Sequence, residues 1–272
     1  MTLFQSILLG IVQGATEFLP ISSSGHLVLV PNLLGWELPP QDAFVFDVLV
    51  QVATLAAVFV YFRHDLYSIF IATVEGLWQR KPFQEQQARL GWYLVLATIP
   101  AGVAYLLFDE TFERAFGSPL ATSLFLFGTA ALLLIGERFG SRERTLGEIS
   151  WLDALWVGVF QILAIFPGIS RSGATISGGM LRDFRRATAA RFSFLISVPV
   201  MLAAGLAGTL ELVQIPHFLD LLPVFLAGFG TAALVGYISI RWLLRFLNRQ
   251  SLTTFAIYCF GFGLLNLLVI LL

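Results

Sequence analysis

The chain has 272 residues, 57% of them hydrophobic and only 12% charged, with a mean hydropathy of +0.84. That balance belongs to an integral membrane protein. A net charge of −1 argues against a nucleic-acid partner, and the one cysteine, Cys259, leaves neither a disulfide framework nor a zinc site.

Residues 1–36 are apolar but interrupted from Glu17 to Gly25, where Pro, Ser and Gly cluster. No basic n-region precedes them, so they are expected to be mature structure rather than a signal peptide. Two half-helices meeting at an irregular turn are predicted, an arrangement tolerated at membrane depth only where it is buried or lines a wet cavity. A short acidic loop, Glu37–Asp42, leads to a span over 43–62 that carries Asp47 and Gln51 one turn apart. Arg63–Arg89 reads as a polar loop. Spans over 90–108 and 120–136 flank the mostly acidic Asp109–Pro119. Glu137–Glu148 is basic again, through Arg138, Arg142 and Arg144. Residues 151–181 then repeat the broken pattern around Pro167–Gly173, and Arg182–Arg191 holds four arginines. Further spans are predicted at about 192–210, 222–241 and 251–272.

The two broken segments are alike. Gly158–Gly173 laid on Gly10–Gly25 matches at Gly10/Gly158, Gln13/Gln161, Phe18/Phe166, Ile21/Ile169, Ser22/Ser170, Ser24/Ser172 and Gly25/Gly173, seven identities in sixteen positions. An internal duplication is the expectation. Of the 16 Lys and Arg, 14 fall in the four segments 63–89, 137–148, 182–191 and 241–249. The segments between them contribute only Arg114, and Arg171 sits in the second broken stretch. Positive-inside alternation then places both chain ends outside. Residues 1–36 must enter and leave from outside, and 151–181 from the cytoplasm. The expected fold is all-α, with six transmembrane helices plus two re-entrant hairpins in an inverted-topology repeat. Residues 1–136 form the first repeat and 150–272 the second.

A carboxylate at membrane depth is costly without a partner, which singles out Glu17. Arg171 is its natural partner, and a guanidinium suits phosphate oxygens. Ser22, Ser23 and Ser24 on one side, with Ser170 and Ser172 on the other, offer hydroxyls at two candidate helix starts, a cradle for an anion. His26 is a candidate acid, base or phosphate ligand, although a lone histidine is more often structural. Thr175 lies on the Arg171 face and Gln13 on the Glu17 face; both are candidates to hold a bound group. Asp47 and Gln51 either line a cavity or bridge helices. His64 and His217 carry no signal.

At QGATEFLPISSSGH and PGISRSGAT the chain resembles the undecaprenyl pyrophosphate phosphatase family of the bacitracin-resistance type, marked by (E/Q)xxxE running into FLPxSSxGH and by a later PGxSRSxxT. The likeness extends through ARFSFLISVP at 190–199. It implies a bacterial inner-membrane enzyme that removes the terminal phosphate of a C55 polyprenyl pyrophosphate, recycling the carrier lipid for cell-wall synthesis. It further implies a site opening outward, and bacitracin resistance that acts through the substrate. By position, the resemblance makes Ser23 the nucleophile, through a phospho-enzyme or by orienting an attacking water; Glu17 acts as base or polarises the attack, and Arg171 binds the pyrophosphate. His26, Ser22, Ser170, Ser172 and Thr175 become auxiliary. Gln13 stands where many members have a glutamate, so a divalent cation, magnesium or calcium, would find only Glu17 and the Gln13 carbonyl. The expected partners are the polyprenyl lipid and the bilayer, with a homodimer as a further expectation. The rival from another class is a transporter or flippase for polyprenyl phosphates, built on the same inverted repeats.

Overall fold

The computed structural model describes residues 1–116, 118–212 and 218–272; His217 and the side chain of Arg114 lie outside them. The described residues form eleven α-helices: α1 Leu3–Phe18, α2 Ser23–Leu33, α3 Pro40–Tyr61, α4 Arg63–Trp78, α5 Gln86–Phe116, α6 Pro119–Phe139, α7 Trp151–Leu163, α8 Arg171–Met180, α9 Arg186–Leu212, α10 Phe218–Phe246 and α11 Thr253–Leu271. Among the described residues, six stretches are long and apolar enough to cross a bilayer: Pro40–Tyr61, Gln86–Phe108, Pro119–Phe139, Arg186–Leu206, Leu221–Phe246 and Thr253–Leu271. Their number and places agree with the spans expected from sequence. This is a multi-pass membrane protein.

Five helices are shorter: α4 with 16 residues, and two pairs, α1 with 16 and α2 with 11, and α7 with 13 and α8 with 10. At ~1.5 Å per residue none reaches ~30 Å, the thickness of a hydrocarbon core. Each pair folds back on itself, α1 against α2 and α7 against α8.

Serine N-caps explain where the second helix of each pair begins. Ser22 Oγ accepts from Gly25 N at 3.2 Å, and Ser170 Oγ accepts from Gly173 N at 3.0 Å. Each hydroxyl satisfies one of the donors that a helix start leaves free. The first helix of each pair presses closely on a span. A Cβ on Gly10 would lie 2.5 Å from Gly228 O of α10, and one on Gly158 would lie 2.5 Å from Ala97 O of α5. Backbone cannot yield there as a side chain can. Gly158→Ala is therefore expected to cost ~1–3 kcal/mol of overpacking, read as a lowered thermal midpoint in detergent.

Residues 63–78 correct the sequence expectation of a polar loop, because they form α4. The cations sit at the ends of that stretch and drew attention away from its apolar interior. Ile69 and Ala72 are buried, while Tyr67, Phe70, Val74, Leu77 and Trp78 are exposed. A helix whose outward face is apolar needs lipid there.

The basic segments meet at one end of the bundle. Glu137 pairs with Arg142 at 2.8 Å and with Arg186, and it accepts from Leu252 N. Asp65 pairs with Arg191. Asp153, in the first turn of α7, is fully buried between Arg144 at 2.7 Å and Arg182 at 2.6 Å. Burial opposes its charge, but the bonds from Arg144, Ser150 and Arg182 outweigh it and hold the carboxyl below the usual carboxylate range. A depressed folded pKa adds stability that is complete above the ordinary carboxylate value and is lost as pH falls through the folded one. Asp153→Asn is expected to lower the thermal midpoint at neutral pH, with the deficit shrinking as pH drops below ~4. At the opposite end the Met1 amine pairs with Asp42 at 2.7 Å.

Candidate active site

The two irregular turns, 19–22 and 164–170, touch in the middle of the molecule. Ser172 Oγ donates to Leu19 O at 3.1 Å. A Cβ on Gly25 would lie 3.2 Å from Gly168 Cα, and one on Gly173 would lie 3.5 Å from Pro20 Cβ. Both turns use left-handed backbone, at Ser22 with φ 71° and at Gly168 with φ 99°. Glycine accepts that conformation freely, whereas serine is strained in it and must be held by its surroundings. The second turn is pinned from α6, where Thr129 Oγ1 donates to Gly168 O at 2.8 Å and accepts from Ser170 N at 2.9 Å.

Glu17 joins the two turns. Its Oε2 accepts from Ser23 Oγ at 2.6 Å and from Gln13 Nε2 at 3.0 Å. Its Oε1 accepts from Arg171 Nη2 at 2.6 Å. Glu17 is 7% exposed, so its charge is stabilised by these bonds rather than by water. Phe18, next to it in the chain, is fully buried and meets Phe194 edge-on at 5.4 Å between centroids.

Two buried polar atoms of this cluster have no hydrogen-bond partner among the described residues, Arg171 Nη1 and Gln13 Oε1. One is a cationic donor and the other an acceptor. Buried polar groups are seldom left unpaired without a functional reason. A phosphate oxygen matches the first, and a cation or a protonated group matches the second.

The serines divide. Ser23 and Ser24 are partly exposed. Ser22 and Ser170 are spent as helix caps, and Ser170 Oγ lies 3.1 Å from Ser172 Oγ. Thr175 turns away from Glu17: its Oγ1 donates to Arg171 O at 2.7 Å and lies 2.6 Å from Ser193 Oγ. His26 also turns away. Its Nδ1 lies 2.7 Å from Ser22 O, its Nε2 lies 2.8 Å from Tyr258 Oη, and its ring stacks on Phe262 at 4.5 Å. Thus Gln13, Glu17, Ser23 and Arg171 form one hydrogen-bonded group, while Ser22, Ser170, Ser172, Thr175 and His26 brace its backbone. Thr129 and Tyr258 were missed in the sequence, where single polar groups inside apolar spans carry no pattern.

The described residues contain no group of three His, Cys, Asp or Glu side chains placed to hold a metal. The oxygen donors at the site are Glu17 and the unpaired Gln13 carbonyl. That set suits a hard cation shared with a phosphate ligand, not one held by protein alone.

In chemical terms the group offers a hydroxyl bonded to a carboxylate, next to a guanidinium with a free arm. Those are the parts needed for attack on a phosphoryl centre. A family model described as bacitracin resistance protein BacA matches residues 6–265. An undecaprenyl-diphosphatase of Thermomicrobium roseum is 40% identical over 277 residues, covering 99% of both chains. One of Chlorobium phaeovibrioides is 42% identical over 280 residues, covering 99% of this chain and 98% of the relative. Another, of Chlorobaculum tepidum, is 42% identical over 282 residues, with coverage of 97% and 96%.

Proposed function

Since the chain belongs to the BacA family of bacitracin resistance proteins, we propose that it hydrolyses undecaprenyl pyrophosphate to undecaprenyl phosphate and inorganic phosphate. The observation that carries this reading is Glu17, which binds the Ser23 hydroxyl with one oxygen and Arg171 with the other. In the first step Ser23 Oγ attacks the terminal phosphorus and Glu17 takes its proton. The bridging P–O bond breaks, and undecaprenyl phosphate leaves with that proton. In the second step Glu17 takes a proton from a water that attacks the phosphoserine and passes it to Ser23 Oγ as the serine P–O bond breaks, which restores both residues and releases phosphate. Arg171 Nη1 meets the non-bridging oxygens, where negative charge concentrates. The N–H groups at the starts of α2 and α8, with Ser24 and Ser172 beside them, add the positive ends of two helix dipoles.

A divalent cation would be held by Glu17 and Gln13 Oε1 together with substrate oxygens, and it would neutralise phosphate charge. The hydroxyl–carboxylate pair and the guanidinium remain this chain's own contribution.

The two helical pairs are read as re-entrant hairpins of opposite orientation. Their short helices support this, as does their exchanged packing, with α1 on α10 and α7 on α5. Convergence of the basic segments at one end supports a cytoplasmic face there. On that topology the protein lies in the bacterial inner membrane with the site opening to the outer side. Bacitracin would act through the substrate. A polyprenyl-phosphate flippase would need the guanidinium but would have no use for a hydroxyl bonded to a carboxylate.

The test is phosphate release from undecaprenyl pyrophosphate by the purified protein, with and without chelator. Stoichiometric release is expected, and loss of release in chelator assigns the cation a role. Lipid bound but not hydrolysed would sink the hydrolase reading.

A further inference from the structure

We propose that Tyr258 is a positioning residue for the serine nucleophile, acting through His26. His26 then serves as a backbone clamp and not as a general acid or base. This rests on the hydrolase reading above.

The chain of contacts starts at a strained residue. Ser22 sits at φ 71°, ψ 98°, immediately before Ser23. Nothing in a serine side chain favours that conformation, so contacts from outside must maintain it. Its carbonyl accepts from His26 N at 3.1 Å and lies 2.7 Å from His26 Nδ1. A carbonyl can only accept, so Nδ1 carries a proton. In a neutral ring Nε2 is then bare and must accept from its own partner, the Tyr258 hydroxyl at 2.8 Å. Tyr258 therefore selects the one neutral tautomer that holds the Ser22 carbonyl.

The ring has no freedom to do otherwise. It lies nearly parallel to Phe262 at 4.5 Å and to Tyr258 at 5.7 Å, with interplanar angles of 6° and 8°. Tyr258 and Phe262 are one turn apart on α11, which places both against α2. His26 is 3% exposed, and no hydrogen bond joins it to Glu17, Ser23 or Arg171. Both its nitrogens are already engaged.

The consequence for chemistry follows from peptide planarity. A trans peptide places its N–H opposite its C=O. With the Ser22 carbonyl held toward His26, the Ser23 N–H points to the other side of the turn, at the start of α2. The same rotation fixes Cα of Ser23, and with it the 2.6 Å contact from Oγ to Glu17. If the Ser22 peptide rotates, both the nucleophile and its adjacent donor move. Misplacement on that scale lowers turnover more than binding, because Arg171 is untouched.

Four proteins separate positioning from acid–base chemistry: wild type, Tyr258→Phe, His26→Asn and His26→Ala. Tyr258→Phe keeps the stacked ring and deletes only the hydroxyl. It is expected to lower kcat about tenfold with KM within about twofold. His26→Ala is expected to lose about 100-fold. Asparagine can place an amide N–H near the position of Nδ1 yet cannot transfer a proton at neutral pH. His26→Asn should therefore recover at least about tenfold over His26→Ala. The independent readout is the side-chain 15N spectrum of histidine-labelled protein carrying His64→Asn and His217→Asn, so that His26 alone reports. A protonated Nδ1 and a bare Nε2 are expected, with loss of that single tautomer in Tyr258→Phe.

An asparagine variant as slow as the alanine one overturns the proposal, as does an unchanged kcat in Tyr258→Phe or a ring protonated at Nε2 alone. Should wild type release no phosphate, the hydrolase reading fails, whereas the tautomer spectrum still decides the clamp.

Discussion

Ser23→Ala is expected to lower kcat/KM for phosphate release by about 10³-fold or more while the lipid still binds. Ser23 Oγ lies 2.6 Å from Glu17 Oε2 and is the hydroxyl bonded to that carboxylate. Ser22 and Ser170 cannot replace it, because each caps a helix. Neither can Thr175, whose hydroxyl lies against Ser193. The substitution removes one partly exposed hydroxyl and leaves the Glu17–Arg171 pair intact, so folding should be unaffected. Equilibrium binding of the radiolabelled lipid, read beside phosphate release, gives the two numbers. A variant that hydrolyses at a tenth of the wild-type rate or faster would show that water attacks directly and that Ser23 only orients it.

Arg171→Ala should be nearly as damaging, by about 10²–10³-fold, and through binding as well as turnover. Among the described residues Arg171 is the one cationic side chain bonded to Glu17, and while its Nη2 holds Glu17 its buried Nη1 has no partner there. Alanine removes the clamp on the phosphate and also strands a carboxylate that is 7% exposed. Breaking a buried pair from one side costs ~3–5 kcal/mol, so the variant needs a thermal-midpoint control. Arg171→Lys keeps the charge as a single point and should fall between the two. Its KM should rise more than its kcat falls.

The site was more legible in the sequence than its bracing. Glu17 and Arg171 stood out because ionisable groups rarely sit inside apolar stretches without purpose, and the serine-rich turns recurred at a constant offset. His26 and Thr175 lay in the same motifs, yet they face away from Glu17, because proximity in a motif does not set side-chain direction. His26 is four residues beyond Ser22, so the first turn of α2 carries its ring back to the Ser22 carbonyl. α4 was read as a loop because charged residues at its ends outweighed an apolar period in its middle. The contact of Tyr258 with His26 is 232 residues long in sequence, and no local pattern encodes it. The six spans, by contrast, follow from hydropathy alone.

A double-mutant cycle between Glu17 and Arg171 decides whether two turns far apart in the chain act as one site. Glu17→Gln, Arg171→Ala and the double variant would be assayed for phosphate release, each with its thermal midpoint. Residues that act as one unit lose their function together, so the double variant should be no more than about threefold slower than the worse single one. It should also be more stable than Arg171→Ala, since the stranded carboxylate is gone. Losses that multiply across the two positions would mean that Glu17 and Arg171 work independently, and the single-site account would be wrong.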